Sequence, residues 1–208
     1  MLDIRCYVCG PIAVNTYLIR DRATGDAMVI DPGAENSRLA EALRQLPAGA
    51  LKAILLTHAH FDHIGYAAAI QQQYKVPVWC GSADAALIGN PFGNGSALFG
   101  LPVEPPAINR TLTDGEMFCL GETEFRVMHT PGHTPGGVCY MTKDEIFTGD
   151  TLFCCGEGRT DLPGGSSREL RMSLQKLGRL DGDWQVYPGH GDFTSLEAER
   201  INNYWMNR

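Results

Sequence analysis

Nowhere in its 208 residues does this chain run 18 apolar residues in succession, so no membrane-spanning helix is expected. Asp3 and Arg5 interrupt the only place where an N-terminal signal core could lie. Basic residues are also scarce, with 17 Lys and Arg against 24 Asp and Glu and a formal charge of −7. Polyanions are held by clustered cations that release their counterions, so neither nucleic acid nor an anionic membrane surface is expected as a partner. No charge block, low-complexity tract or long Gly/Ser linker breaks the chain, which points to one unit over residues 1–208. Cysteine is present in an odd number, seven, scattered through apolar segments, which excludes a complete disulfide framework and favours reduced thiols in the cytoplasm. Cys6 and Cys9 form a C-x-x-C, but on an apparent strand a spacing of three sends the two side chains to opposite faces.

What is there alternates between short strands and helices. Val14–Ile19 and Ala27–Ile30 read as strands around the polar turn 21–26. Asp31-Pro32-Gly33 stops the second strand. Asn36 or Ser37 can then cap a helix that carries Leu39, Leu43 and Leu46 and ends at Pro47. Ala53–Leu56 is an apolar run of buried-strand length leading straight into Thr57-His58. Helix formers fill 64–73 and 83–88, with a brief strand at 76–79 between them. Residues 90 to 109, rich in Gly and Pro but holding Phe92 and Phe99, suit an ordered surface loop that covers a site. Strand signals return at 117–120, 125–128, 138–141 and 146–148, and an amphipathic helix follows at 168–180. The pattern is α/β.

The densest chemistry lies in Thr57-His58-Ala59-His60-Phe61-Asp62-His63, where four metal-capable side chains occupy six positions between a buried strand and a helix. A continuous helix would send His60 away from His58 and Asp62, so a turn is needed to aim all four inward. Imidazole nitrogens and carboxylate oxygens suit Zn, Fe, Mn and Co, and a catalytic ion needs three or four ligands with one position open. Further donors stand in Gly-bearing turns: His133 in TPGHTPG, Asp150 in TGDT and His190 in YPGHG. Five of the six histidines fall in these turns, and chance clustering does not account for that. His129, at the end of an apolar strand, reads as a hydrogen-bonded interior histidine.

Together, Asp31 in its Asp-Pro-Gly turn, the His-x-His-x-Asp-His segment, His133, Asp150 and His190 resemble the five signature motifs of the metallo-β-lactamase superfamily. The resemblance implies an αββα sandwich with two metal ions at one edge, most simply zinc, with iron or manganese also suited. It implies that His58, His60 and His133 hold one ion, that Asp62, His63 and His190 hold the other, that Asp150 bridges them and that Asp31 supports from behind. The segments 130–136, 149–153, 158–165 and 188–191 are most similar to short glyoxalase II-like hydrolases. That resemblance implies cleavage of a small-molecule thioester such as S-D-lactoylglutathione, with Asp62 both ligand and catalytic residue. Because the chain ends at Arg208, glutathione specificity is expected to be weaker than thioester chemistry. Arg159 and Phe153 are candidate substrate contacts, and the role of the vicinal pair Cys154-Cys155 is left open. Gly158-Arg159-Thr160-Asp161 is also similar to persulfide dioxygenases of the same superfamily, which use one iron, so metal count separates the two readings.

Overall fold

Alternation along apolar strands decides the architecture. In the strand Leu51–Leu56, Ala53 and Leu55 point to one side and Ile54 and Leu56 to the other, yet all four are buried. A strand buried on both faces needs a layer on each, and the computed structural model, which describes residues 1–207, supplies them.

The first sheet has six strands in sequence order: β1 (Leu2–Cys9), β2 (Val14–Asp21), β3 (Ala27–Ile30), β4 (Leu51–Leu56), β5 (Val78–Gly81) and β6 (Ile108–Leu112). β1 to β3 are antiparallel, and β3 to β6 are parallel. The second sheet contains β7 (Met117–Leu120), β8 (Thr123–His129), β9 (Val138–Met141), β10 (Glu145–Gly149), β13 (Gln185–Pro188) and β14 (Thr194–Ser195), in the order β14-β13-β10-β9-β8-β7. A hairpin of β11 (Leu152–Phe153) and β12 (Gly156–Glu157) stands apart. Between the sheets lie Tyr17, Ile19, Ile30, Leu55, Phe125, Tyr140 and Phe147. The outer face of the first sheet packs under α1 (Ser37–Arg44) and α3 (Ala67–Tyr74) through Leu39, Leu43 and Ile70. That of the second packs under α6 (Ser167–Gly178) and α7 (Leu196–Asn202) through Leu174, Leu177 and Leu196. This is the expected αββα sandwich.

Several local expectations change. The helix expected at 64–73 is split into one turn, α2 (Phe61–Ile64), and α3, with Gly65 and Tyr66 between them. The first turn therefore already contains Asp62 and His63. The helix expected at 83–88 is a 3-10 turn over Ser82–Asp84 followed by one turn, α4 (Ala85–Ile88). The strand expected at 76–79 begins at Val78, because Pro77 has no N–H to give a ladder and offers only its carbonyl, to Ile54 N at 2.9 Å. The loop 90–109 holds a turn of helix, α5 (Ser96–Phe99), and runs into β6.

Parallel β3, β4 and β5 deliver the segments that follow them to one edge, and β10 and β13, also parallel, do so from the other sheet. The two sheets are clasped at that edge. Asn15 N donates to Gly189 O at 2.7 Å and Tyr17 Oη to Pro188 O at 2.5 Å, while Val138 N donates to Thr57 O at 2.9 Å. None of the described helices is long and apolar enough to cross a membrane.

Candidate metal centre

All seven side chains singled out in the sequence converge at this edge. His58 lies in the turn after β4, His60 at the start of α2, and Asp62 and His63 inside that one helical turn. His133 follows β8, Asp150 follows β10 and His190 follows β13. Donor atoms of His58, His60 and His133 lie within 4.8 Å of one another, and so do those of Asp62, His63 and His190. Asp150 faces both groups, with Oδ2 3.4 Å from His133 Nε2 and Oδ1 3.3 Å from His63 Nε2.

Three of the five rings, those of His58, His63 and His133, are aimed from behind. His63 Nδ1 is 2.9 Å from Asp31 Oδ2, His133 Nδ1 is 2.7 Å from Arg159 O, and His58 Nδ1 is 3.0 Å from Thr57 Oγ1. Asp31 in turn accepts from Thr57 N at 2.7 Å and Thr57 Oγ1 at 2.6 Å, so one buried carboxylate fixes both His63 and the root of the histidine turn. With the outer nitrogens held, the inner ones turn toward the centre. There His58 Nε2 and Asp150 Oδ1 are buried with no hydrogen-bond partner among the described residues, whereas His60 meets His133 Nε2 through Nδ1 at 2.8 Å and leaves its Nε2 buried and unpaired on the other side of the ring. An unpaired buried polar atom costs about 1–3 kcal/mol, and two together at the centre fit a cluster built for cations.

The charges agree. Burial and the neighbouring His63 and His133 hold His58 well below the usual imidazole range, and burial takes His60 down to about 3, so both rings present lone pairs. Burial opposes charge on His63 too, but Asp150, Asp62 and Asp31 outweigh it and raise that ring well above its ordinary value. The Asp150 carboxyl is driven well below its ordinary value because His63 and His133 overcome its desolvation. Three carboxylates thus demand positive charge at His63, and a cation beside Nε2 answers the same demand as a proton.

Sequence reasoning missed Asp84. This fully buried carboxylate accepts from Ala59 N (2.8 Å), Thr134 Oγ1 (2.8 Å) and Gly136 N (2.6 Å). Ala59 separates His58 from His60, and Thr134 follows His133, so Asp84 ties together the two turns that carry the first histidine group. Burial pushes its carboxyl up, with the three donors pulling the other way. In the sequence Asp84 is one acidic residue in a short apolar stretch, and its partners lie 25 to 52 residues away.

The other singled-out residues sit as follows. Arg159 is exposed and bidentate to Asp161, at 2.6 and 2.8 Å, with its guanidinium 6.0 Å from the Phe99 ring. Phe153 meets the His190 ring edge-on at 6.1 Å. Phe99 packs on Phe61 at 5.2 Å, and Phe92 is exposed. His129 Nε2 bonds Pro135 O at 2.9 Å and joins neither donor group. Beside Asp62 opens an apolar hollow of about 120 Å³ bordered by Ile12, Phe61, Leu101, Pro102 and Val103.

An αββα sandwich with two His/Asp donor groups at one edge defines a class of metal-centre proteins, and comparison with known proteins agrees. Residues 9–190 match the Metallo-beta-lactamase superfamily. The chain belongs to that superfamily. It is 35% identical over 187 residues to the hydroxyacylglutathione hydrolase GloC of Haemophilus influenzae, with 88% of each chain covered. The crystal structure of BLEG-1 B3 metallo-beta-lactamase superposes with a TM-score of 0.90 at 33% identity over 100% of both chains. That of TTHA1623 in a di-iron-bound form gives 0.83 at 34% identity, covering 97% of this chain and 99% of the other.

Proposed function

We propose that this chain is a metal-dependent hydrolase that holds two divalent transition-metal ions and cleaves a small thioester of the hydroxyacylglutathione type, such as S-D-lactoylglutathione. The observation that carries this reading is Asp150, one carboxylate set between two three-donor groups and close to the unpartnered inward Nε2 of His58. His58, His60 and His133 would hold one ion and Asp62, His63 and His190 the other, with Asp150 shared. Zinc suits these donors first, and iron and manganese are the other ions they accept. Bound there, the ions supply a hydroxide nucleophile near neutral pH and a Lewis acid toward the acyl oxygen.

The protein's own part is orientation and proton handling. Asp62 Oδ2 stands 3.3 Å from His190 Nε2, and its carboxyl lies below the ordinary range because His63 and His190 outweigh burial, so it is ionised and able to accept the nucleophile's proton. The hollow bordered by Phe61 and Leu101 gives an apolar wall beside that carboxylate, suited to the uncharged carbon portion of an acyl or thiol group. The similarity to GloC, a hydroxyacylglutathione hydrolase, supports the choice of thioester.

The test is elemental analysis of the purified protein, followed by thiol release from lactoylglutathione and other acyl thioesters, oxygen uptake on glutathione persulfide, and β-lactam opening. Two ions per chain with thioester hydrolysis are expected. One iron per chain with oxygen uptake and no thiol release would overturn the reading in favour of a dioxygenase.

A further inference from the structure

Beyond Phe153, whose ring meets His190, the β11–β12 hairpin presents two adjacent thiols at its tip. Phe153 pairs with Gly156, so Cys154 and Cys155 are the two turn residues, and both are exposed. On an extended strand neighbouring side chains diverge, but here Cys155 takes a left-handed backbone with φ 56° and the two sulfurs converge. Both lie within 4.8 Å of a carboxylate oxygen of Glu199 on α7.

Glu199 is the second observation. Its residue is 1% exposed. The carboxylate receives three hydrogen bonds, from Cys155 N (2.9 Å), Asn203 Nδ2 (2.7 Å) and Thr194 Oγ1 (2.7 Å). All three donors are neutral, and none of the ion pairs among the described residues includes Glu199. Its three hydrogen bonds leave the carboxylate capacity for a further partner, and both sulfurs stand within 4.8 Å of one of its oxygens.

We propose that Cys154, Cys155 and Glu199 form a separate site for one soft or borderline divalent cation of the cadmium or zinc type. Two sulfurs and one oxygen select such ions over magnesium or calcium, and the set differs in kind from the all-nitrogen-and-oxygen donors of the histidine centre. As each sulfur–metal bond forms, the thiol gives its proton to solvent, so binding one divalent ion releases two protons and places positive charge against Glu199. The site does not depend on what reaction the histidine centre performs.

Cadmium is the probe, because thiolate-to-cadmium charge transfer absorbs in the ultraviolet and the histidine centre contains no sulfur. The full-length protein, already loaded with zinc and kept reduced by a phosphine, is titrated with cadmium. A thiolate band saturating at one further equivalent per chain is expected. Cys154→Ser and Cys155→Ser should each lose most of the band, whereas Cys119→Ser, altered at another exposed thiol, should keep it. Glu199→Gln should keep the band with affinity weakened about tenfold or more. No band, or a band that survives in the Cys154→Ser/Cys155→Ser double variant, would overturn the site. An unchanged affinity in Glu199→Gln would overturn the carboxylate's part in it. Should Glu199→Gln fail to fold, the cysteine variants, made at exposed positions, still decide.

Discussion

Replacing Asp84 by Asn changes one atom and separates packing from positioning. Oδ2 serves Ala59 N and Thr134 Oγ1, and Oδ1 serves Gly136 N. An amide can keep its oxygen on the first pair only by turning its NH₂ group against the Gly136 N–H. One buried hydrogen bond is then lost and two donors face each other, at a cost of about 1–3 kcal/mol. For a chain of this size that corresponds to a fall in Tm of roughly 2–12 °C. Asp84→Ala orphans all three donors, at a cost of about 3 kcal/mol or more, a large part of an ordinary domain's stability. If Asp84 spaces the His58–His60 turn from the His133 turn, metal affinity at those histidines should fall about 10–100-fold in Asp84→Asn. Competition against a chromophoric chelator reads the affinity, and melting of the metal-free protein reads the stability. A lowered Tm with wild-type affinity would refute the positioning argument, and wild-type values of both would refute the hydrogen-bond ledger itself.

On the proposed mechanism Asp62→Ala removes a metal donor and the proton acceptor together and should lower turnover by orders of magnitude; near-wild-type turnover in steady-state assays would take Asp62 out of the mechanism. Gly33→Ala should cost the Asp62/His63/His190 group its ion while leaving the other, since a β-carbon there would lie 1.6 Å from Asp62 O and 2.5 Å from Val14 Cγ1. Elemental analysis after dialysis checks this, and two retained ions would contradict it. Asp21 accepts from Thr123 Oγ1 at 2.6 Å and from Ala23 N and Thr24 N, both at 2.9 Å, and the Thr123 bond leads in holding its carboxyl down to about 2. A depressed carboxyl stabilises the fold above its unfolded value, near 4, and loses that contribution as pH falls toward 2. The Tm gap between metal-free wild type and Asp21→Asn should therefore narrow from pH 4 to pH 2, and a constant gap would count against the assignment.

The donors were legible because their chemistry is rare and their turns are marked by glycine: six histidines in the chain, five of them in such turns. The strands around them were legible from apolar runs. What escaped depends on long-range partners. β6, INRTL, is a polar edge strand in which only Leu112 is buried, so nothing in its own residues announces pairing with β5. α7 did carry a signal, Ser195 capping through Ala198 N with Glu197 and Glu199 in the first turn, but at seven residues it is short and its apolar face small. Asp84 resembles any helix-surface acid until the fold buries it between two turns 25 and 50 residues away.

The clasp between Asn15, Tyr17 and the segment Pro188–Gly191 joins residues 171 to 176 apart in the chain. Pairing at such separation carries a loop-closure cost that must be met before its contacts offset it, which slows its formation. During synthesis the segment 57–63, with four donors, emerges long before His133, Asp150 and His190. An ion caught early would meet only that segment, flexible and incomplete. High-affinity loading is therefore expected to follow docking of the two sheets, and the rate of metal uptake after dilution from denaturant, compared with the rate of docking, tests that order.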